Sequence, residues 1–439
     1  MEAGRVALHT LGCKVNQVES DALREDFLRR GWRVVDFRDE AEVYIINSCT
    51  VTHVSDRKSR AMVRRAARLR PDALVVLTGC MAAVGGGELS EDAGLVVGNR
   101  DKPQIAALVE EYLSQAEKKR VCYIAPPTAA DKLMPQPRCT RGERSRALVK
   151  IQDGCESFCS YCIVPYARGP VRSKMPSEVL REIWQLLGLG YREIVLTGIH
   201  TGHYGRDVPG WDLARLLIYL LPQLPSDCRL RLSSIEPTEF HPELIELLAA
   251  EPRLCRHFHI PLQSGSDSIL ESMGRPYRRE DYRRLIGELD ALLPGAAFTA
   301  DVMVGYPGES EEDFAATCEL LSALPISDLH VFKYSRRAGT PAAAMPYPVD
   351  EATKTARSHH LMALGRKNRR EFIESQLGRT LTVVMEKELK PGQWLALTDN
   401  YIEVTVPVPP GREVLSGSLY SVRLNELEKN HGAVKAVLI

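Results

Sequence analysis

No run of about eighteen apolar residues occurs in the 439-residue chain, so no membrane-spanning helix is expected. Net charge is also missing, because 57 Lys and Arg are offset by 57 Asp and Glu. That balance excludes a global attraction to polyanions, and any phosphate-rich partner must be met by a local basic patch. The first residues, Met1 to Leu11, form a short strand-like run rather than a secretory leader. A Ser/His/Asp constellation, a P-loop and a GxGxxG fingerprint are all lacking, which sets aside the corresponding hydrolase and nucleotide-binding chemistries. Eleven cysteines, an odd number in so long a chain, do not read as a disulfide framework. Grouped cysteines in a reducing, cytoplasmic compartment point instead to metal or catalysis.

Strand and helix patterns divide the chain into three regions. Residues 1–122 alternate strand-like runs (Arg5–Leu11, Val43–Asn47, Ala73–Leu77) with helical ones (Val18–Arg30, Asp56–Leu69), the order of a parallel α/β sheet. Residues 123–146 are rich in Pro, Ala and charge and read as a linker. Residues 147–372 repeat the alternation six times, through Ala147–Ile151, Glu193–Leu196, Arg229–Leu232, His257–Ile260, Phe298–Val304 and Leu329–Phe332. Six such units make either an open sheet or a partial barrel, and the pattern alone does not choose. A charged helix around Thr353–Glu374 then leads to short, closely spaced strands in residues 373–439, the texture of a small β-barrel.

Cys155, Cys159 and Cys162 form a C-x3-C-x2-C triplet at the end of a strand. Three thiolates on one tight loop can hold three irons of a cubane and leave the fourth open to chelate a cofactor. Gly154 permits the sharp turn into the loop, and Tyr161 is placed for an adenine to lie against it. Zinc is the competing reading, but it usually requires a second cysteine or histidine pair, and none lies nearby. Cys13, Cys49 and Cys80 are far apart in sequence, yet each directly follows an expected strand. In a parallel sheet such strand ends share one edge, where three thiols can converge. Three separately buried cysteines are the bland alternative. Cys122, Cys139, Cys228, Cys255 and Cys318 have no such context and read as packing residues.

Taken together, Thr10-Leu-Gly-Cys13-Lys-Val-Asn-Gln, Asn47-Ser-Cys49-Thr-Val-Thr, Thr78-Gly-Cys80 and Gly154-Cys155 through Cys162-Ile-Val-Pro-Tyr-Ala-Arg-Gly resemble the radical S-adenosylmethionine (SAM) methylthiotransferases. Ser233-Ser-Ile-Glu-Pro, His259-Ile-Pro-Leu-Gln-Ser-Gly and Asp301-Val-Met-Val-Gly are similar to that family's later strand-end motifs, and Leu397-Thr-Asp-Asn-Tyr-Ile to its C-terminal TRAM barrel. The sequence around Cys13 and Cys155 resembles the MtaB branch rather than the MiaB or RimO branch. His200-Thr-Gly-His203 is richer in histidine than the resemblance leads one to expect.

The resemblance implies a partial (β/α)6 barrel in the middle region and two [4Fe-4S] clusters, one on each cysteine triplet, with SAM as cofactor. It further implies methylthiolation at C2 of N6-threonylcarbamoyladenosine at tRNA position 37, met through the anticodon loop, with a low-potential electron donor. Another tRNA adenosine or a ribosomal protein side chain would be the alternative target, and a non-catalytic cluster-holding RNA-binding protein the alternative class. Candidate SAM or substrate contacts at barrel strand ends are Gly198, Ser234, Glu236, Gln263 and Asp301, which could equally be ordinary turn and capping residues. For RNA, Arg57, Arg60, Arg64 and Arg68 recur at three or four residues on one helix face. Lys354–Arg370 is a second basic candidate.

Overall fold

The structure is a computed structural model that describes residues 4–85, 92–136, 141–142, 144–427 and 434–439; Cys139 lies outside them. The first unit is a six-stranded sheet of β1 (Arg5–Thr10), β2 (Arg33–Val35), β3 (Val43–Ser48), β4 (Leu74–Gly79), β5 (Leu95–Val97) and β6 (Val121–Tyr123). The strands pair in the order β2-β1-β3-β4-β5-β6, all parallel. Helices α1 (Lys14–Arg29), α2 (His53–Leu69), α3 (Cys80–Gly85) and α4 (Ile105–Ser114) cover it. Strands β3 and β4 are buried along their whole length, so they read as continuous apolar runs rather than alternating ones. Helix α2 begins three residues before the expected Asp56, because the Thr52 side chain accepts the Ser55 N–H and caps the first turn. Strands β2, β5 and β6 have three residues each, too few for a periodic signal.

The second unit carries β7 (Ala147–Lys150), β8 (Gln152–Asp153), β9 (Arg172–Ser173), β10 (Glu193–Thr197), β11 (Arg229–Leu232), β12 (His257–His259), β13 (Ala297–Val304) and β14 (Ile326–Lys333). Its helices are α5 (Val164–Arg168), α6 (Pro176–Gly188), α7 (Leu213–Leu220), α8 (Pro242–Ala250), α9 (Asp267–Met273), α10 (Arg279–Leu292) and α11 (Glu311–Ala323). Two parallel three-stranded sheets, β7-β10-β11 and β12-β13-β14, meet at a bridge between Leu230 and Leu254 and form the partial barrel. Val18 of α1 packs on Leu148 and Val195, so the first unit covers strands at the barrel's open side.

Helix α12 (Glu351–Gln376) packs along β14 and leads into a closed barrel ordered β15-β16-β17-β19-β18. Its strands are β15 (Thr380–Lys390), β16 (Gln393–Thr398), β17 (Glu403–Pro407), β18 (Leu419–Leu427) and β19 (Val434–Leu438). This small barrel is bolted to the large one by two arginines of β11. Arg229 donates to the carbonyls of Thr382 and Leu397 (2.7 and 3.0 Å), and Arg231 to those of Asp399 and Thr398 (2.9 and 3.1 Å). The Tyr401 ring stacks on His257, with centroids 4.4 Å apart. No helix among the described residues is long and apolar enough to cross a membrane.

Candidate active site: two cysteine triplets on one cavity

Strands β1, β3 and β4 are neighbours in the sheet; Cys49 and Cys80 stand immediately beyond the C-terminal ends of β3 and β4, and Cys13 follows β1 after Leu11 and Gly12. The loops after β1 and β3 approach closely. Gly12 has φ +93°, and a Cβ there would lie 2.8 Å from Cys49 Cβ, so a side chain is excluded. Asn16 laces the two strand ends together by donating to the Leu11 and Ser48 carbonyls at 2.8 and 3.0 Å. Cys155, Cys159 and Cys162 occupy the loop between β8 and α5. Gly154 opens it at φ +79°, where a Cβ would fall 1.8 Å from the Pro170 carbonyl oxygen. Further on, the Ser160 N–H donates to Met273 O (2.9 Å) and its hydroxyl meets Tyr306 Oη (2.7 Å).

All six of these cysteines line one cavity of about 400 Å³ between the sheet domain and the barrel. Tyr161, Gly198, Ser234, Glu236 and Asp301 line it too. Gln263 does not: it sits behind the wall, its backbone N–H donating to Asp301 O at 2.8 Å, with φ +66° and an unpartnered Oε1. Among the described residues neither triplet brings its three sulfurs within 4.8 Å of one another. A single tetrahedral zinc with Zn–S near 2.3 Å would hold thiolates about 3.8 Å apart. The wider spacing suits a multi-iron cluster rather than one ion.

Sequence pattern gave no warning of Arg275, and the histidine-rich His200–His203 loop, noted in the sequence only as a departure from its relatives, lies against this cavity. Arg275 donates to Cys159 Sγ at 3.3 Å and to Tyr277 Oη at 3.1 Å, and pairs with Glu236. His200 Nδ1 lies 3.4 Å from Cys155 Sγ, while its Nε2 is 2.5 Å from Glu239 Oε1. The His203 ring stacks on His200 at 3.4 Å and also faces Glu239. The histidine-rich loop therefore braces the first cysteine. Burial drives the Cys155 thiol up, but the His200 and Ser157 hydrogen bonds outweigh it and leave the thiol below its ordinary range. Burial alone dominates at Cys162, which is pushed up to about 12. Ser233 Oγ, on the cavity wall, is buried without a hydrogen-bond partner and can receive a ligand.

Behind Cys80 lies a buried knot of charge. Arg168, Lys102, Lys150 and Arg172 surround only two carboxylates, Glu19 and Asp153. The Glu19 contacts are 2.5 Å to Arg168, 2.5 Å to Lys102 and 2.8 Å to Lys150. Four cations against two anions would be costly to bury alone. Arg168 Nε donates to Cys80 Sγ at 3.4 Å, so thiolate charge from the Cys13, Cys49 and Cys80 triplet can balance the surplus. That donor set fits an anionic, thiolate-held cluster.

On α2, Arg57, Arg60, Arg64 and Arg68 are exposed, and none pairs with another described residue. The second basic candidate fares differently. Lys354 and Arg357 are buried against the barrel, Arg357 on Glu309 and Glu311, so the basic residues of α12 do not form one free face. His257 and His259 serve packing and hydrogen bonding, His259 Nδ1 meeting Thr299 Oγ1 at 2.9 Å.

Residues 149–321 match the Radical SAM superfamily, and residues 5–98 match "Uncharacterized protein family UPF0004". The chain is 40% identical to a threonylcarbamoyladenosine tRNA methylthiotransferase MtaB of Bacillus subtilis (strain 168), over 95% of this chain and 93% of the relative. It is 39% identical to the protein of that name from Aquifex aeolicus, over 91% and 96%. A tRNA-2-methylthio-N(6)-dimethylallyladenosine synthase of Pelotomaculum thermopropionicum is 33% identical over 87% and 86%. In three dimensions the chain is similar to the radical SAM methyltransferase TsrM of Kitasatospora setae, with TM-score 0.59, 18% identity and coverage of 77% and 75%. That likeness speaks for the fold alone.

Proposed function

The chain belongs to the MtaB-type radical SAM methylthiotransferases, and we propose that it places a methylthio group on C2 of N6-threonylcarbamoyladenosine at position 37 of tRNA, beside the anticodon. It is an enzyme that uses SAM and two [4Fe-4S] clusters and acts on tRNA. The observation that carries the reading is the opening of two cysteine triplets, from two domains, onto one cavity.

In this reading Cys155, Cys159 and Cys162 hold one cluster, and Cys13, Cys49 and Cys80 the other. When bound, the clusters and SAM supply single-electron cleavage of the sulfonium, a methyl group and the sulfur to be transferred, a route open to a ring carbon that has no leaving group. The chain's own residues bind and orient. Arg275 neutralises thiolate charge at Cys159 and fixes the Glu236 carboxylate on the cavity wall. Tyr161 offers a flat face for an adenine, and Gly198 keeps the wall open: a Cβ there would strike the Gln152 side chain at 2.6 Å. Ser233, Ser234 and Asp301 present polar atoms for SAM or the nucleoside. The basic face of α2 receives phosphates near the anticodon loop. A low-potential electron donor and a cytoplasmic setting complete the picture.

Anaerobically reconstituted enzyme, given SAM, dithionite and tRNA bearing N6-threonylcarbamoyladenosine, should yield the 2-methylthio nucleoside by mass spectrometry. Both 5′-deoxyadenosine and S-adenosylhomocysteine should accompany it. Turnover on isopentenyladenosine instead would remove the assignment, and so would 5′-deoxyadenosine with no change in the tRNA.

A further inference from the structure

Apolar side chains are exposed where the active cavity meets solvent, and the proposed chemistry does not use them. Phe158, inside the cluster loop, is 56% exposed and sits at φ +44°, a costly conformation for a bulky side chain. Tyr166, on α5, is 45% exposed and meets Phe158 edge-to-face at 5.8 Å. Val51, on the cavity wall, and Val54 are about half exposed. Beside Tyr166 runs a groove of about 680 Å³ whose sides include His53 and Arg336. Its floor is small, from Ala338, Gly339, Pro341 and Ala344. The Arg336 guanidinium is held by the Ala343 carbonyl at 2.8 Å.

The groove is built from two domains. The His53 N–H donates to Ser335 Oγ at 3.0 Å, and Arg337 pairs with Asp56 at 2.5 Å. His53 is also the first residue of α2, whose unpaired arginines continue the surface outward. Flat aromatic faces, a guanidinium and a trail of free cations are the chemistry of single-stranded nucleic acid binding, where bases stack and phosphates find positive charge. A cavity of about 400 Å³ that must also take up SAM and the clusters leaves no room for nucleotides beyond the reacting base, so the adjoining ones must lie at its mouth.

We propose that the Phe158–Tyr166 shelf and the His53–Arg336 groove seat the unpaired nucleotides that flank the target adenosine, stacked on Tyr166. This rests on the tRNA reading above. A protein docking on the same apolar shelf is the competing occupant.

The test uses reconstituted holoenzyme, an anticodon stem-loop RNA bearing N6-threonylcarbamoyladenosine, and the variants Tyr166→Leu, Tyr166→Phe and Arg336→Ala. Tyr166→Leu should raise KM for the RNA about tenfold with kcat near wild type, the loss expected for one stacked base. Tyr166→Phe should restore it. RNA-free formation of 5′-deoxyadenosine should be the same in all three. With 2-aminopurine in place of a flanking base, fluorescence should be quenched on binding to wild type and recover in Tyr166→Leu. Unchanged KM and quenching in that variant overturn the shelf as an RNA seat and leave a protein as its occupant. If the wild type itself makes 5′-deoxyadenosine but leaves tRNA unmodified, the tRNA reading fails and the shelf with it.

Discussion

Glu193→Gln tests how the small barrel is held. The Glu193 carboxylate is fully buried on β10, 2.6 Å from Arg229 and 2.6 Å from Arg231, which themselves clasp the small barrel's carbonyls. Burial raises its pKa, but the two arginines overcome that and hold it at about 2, against an ordinary 4.5. A drop of that size corresponds to roughly 3 kcal/mol of stabilisation near neutral pH. Breaking one partner of a buried pair costs about 3–5 kcal/mol, so the two routes agree. Because the folded pKa is depressed, the contribution is whole above about pH 4.5 and fades as pH falls towards about 2. Urea titration of the apoprotein should therefore find the variant about 3 kcal/mol less stable at about pH 7. The gap should narrow to about 2 kcal/mol at about pH 3.5. Hydrogen exchange at Thr398–Tyr401 should rise first, since those residues lose their anchor. A gap under about 1 kcal/mol, or one that does not narrow in acid, would refute the electrostatic account.

Three further outcomes follow from the site. Cys155→Ala should abolish 5′-deoxyadenosine formation, whereas Cys13→Ala should keep it and lose methylthiolation; iron should fall from about eight to about four per chain in either triple-alanine variant. Arg168→Met removes a donor to Cys80, so an EPR-monitored titration should find the cluster on that triplet harder to reduce, by on the order of 60 mV, with the other cluster unmoved. Replacing Arg57, Arg60, Arg64 and Arg68 with Gln should flatten the salt dependence of tRNA binding by about three in log–log slope, as four phosphate contacts require; an unchanged slope would put the RNA elsewhere.

What was legible in the sequence was what local pattern encodes. The six barrel strands to within three residues at either end, the range of α6, and the placement of Cys13, Cys49, Cys80 and the Cys155 loop after strands follow from periodicity and from Gly placement. A three-residue strand such as β5 offers no period, and the choice between open sheet and barrel depends on a single bridge, Leu230 to Leu254. Basic composition in α12 was misleading for a related reason. Whether Lys354 and Arg357 face solvent depends on β14 and on Glu309, neither of which neighbours them in sequence.

The charge knot behind Cys80 shows why the remainder was hidden, and what it is for. Arg168 reaches Glu19 across 149 positions, and Lys102 reaches it across 83, so no window of sequence contains the interaction. Stability is a weak reason to bury six ionised groups, since apolar packing of equal volume generally does as well. Their placement is more informative. Glu19 lies on α1, about one turn past Asn16 in the helix that Cys13 precedes, Arg168 ends the helix that follows Cys162, and Lys150 ends β7, five residues before Cys155. The knot thus joins the backbone segments that carry both triplets, while Arg168 touches a thiol of the opposite domain directly. Two clusters that must act on one substrate need a fixed separation, and neither domain's own core can set it. An ion network spanning both domains can, because breaking any one pair leaves an uncompensated buried charge and so penalises every displaced arrangement.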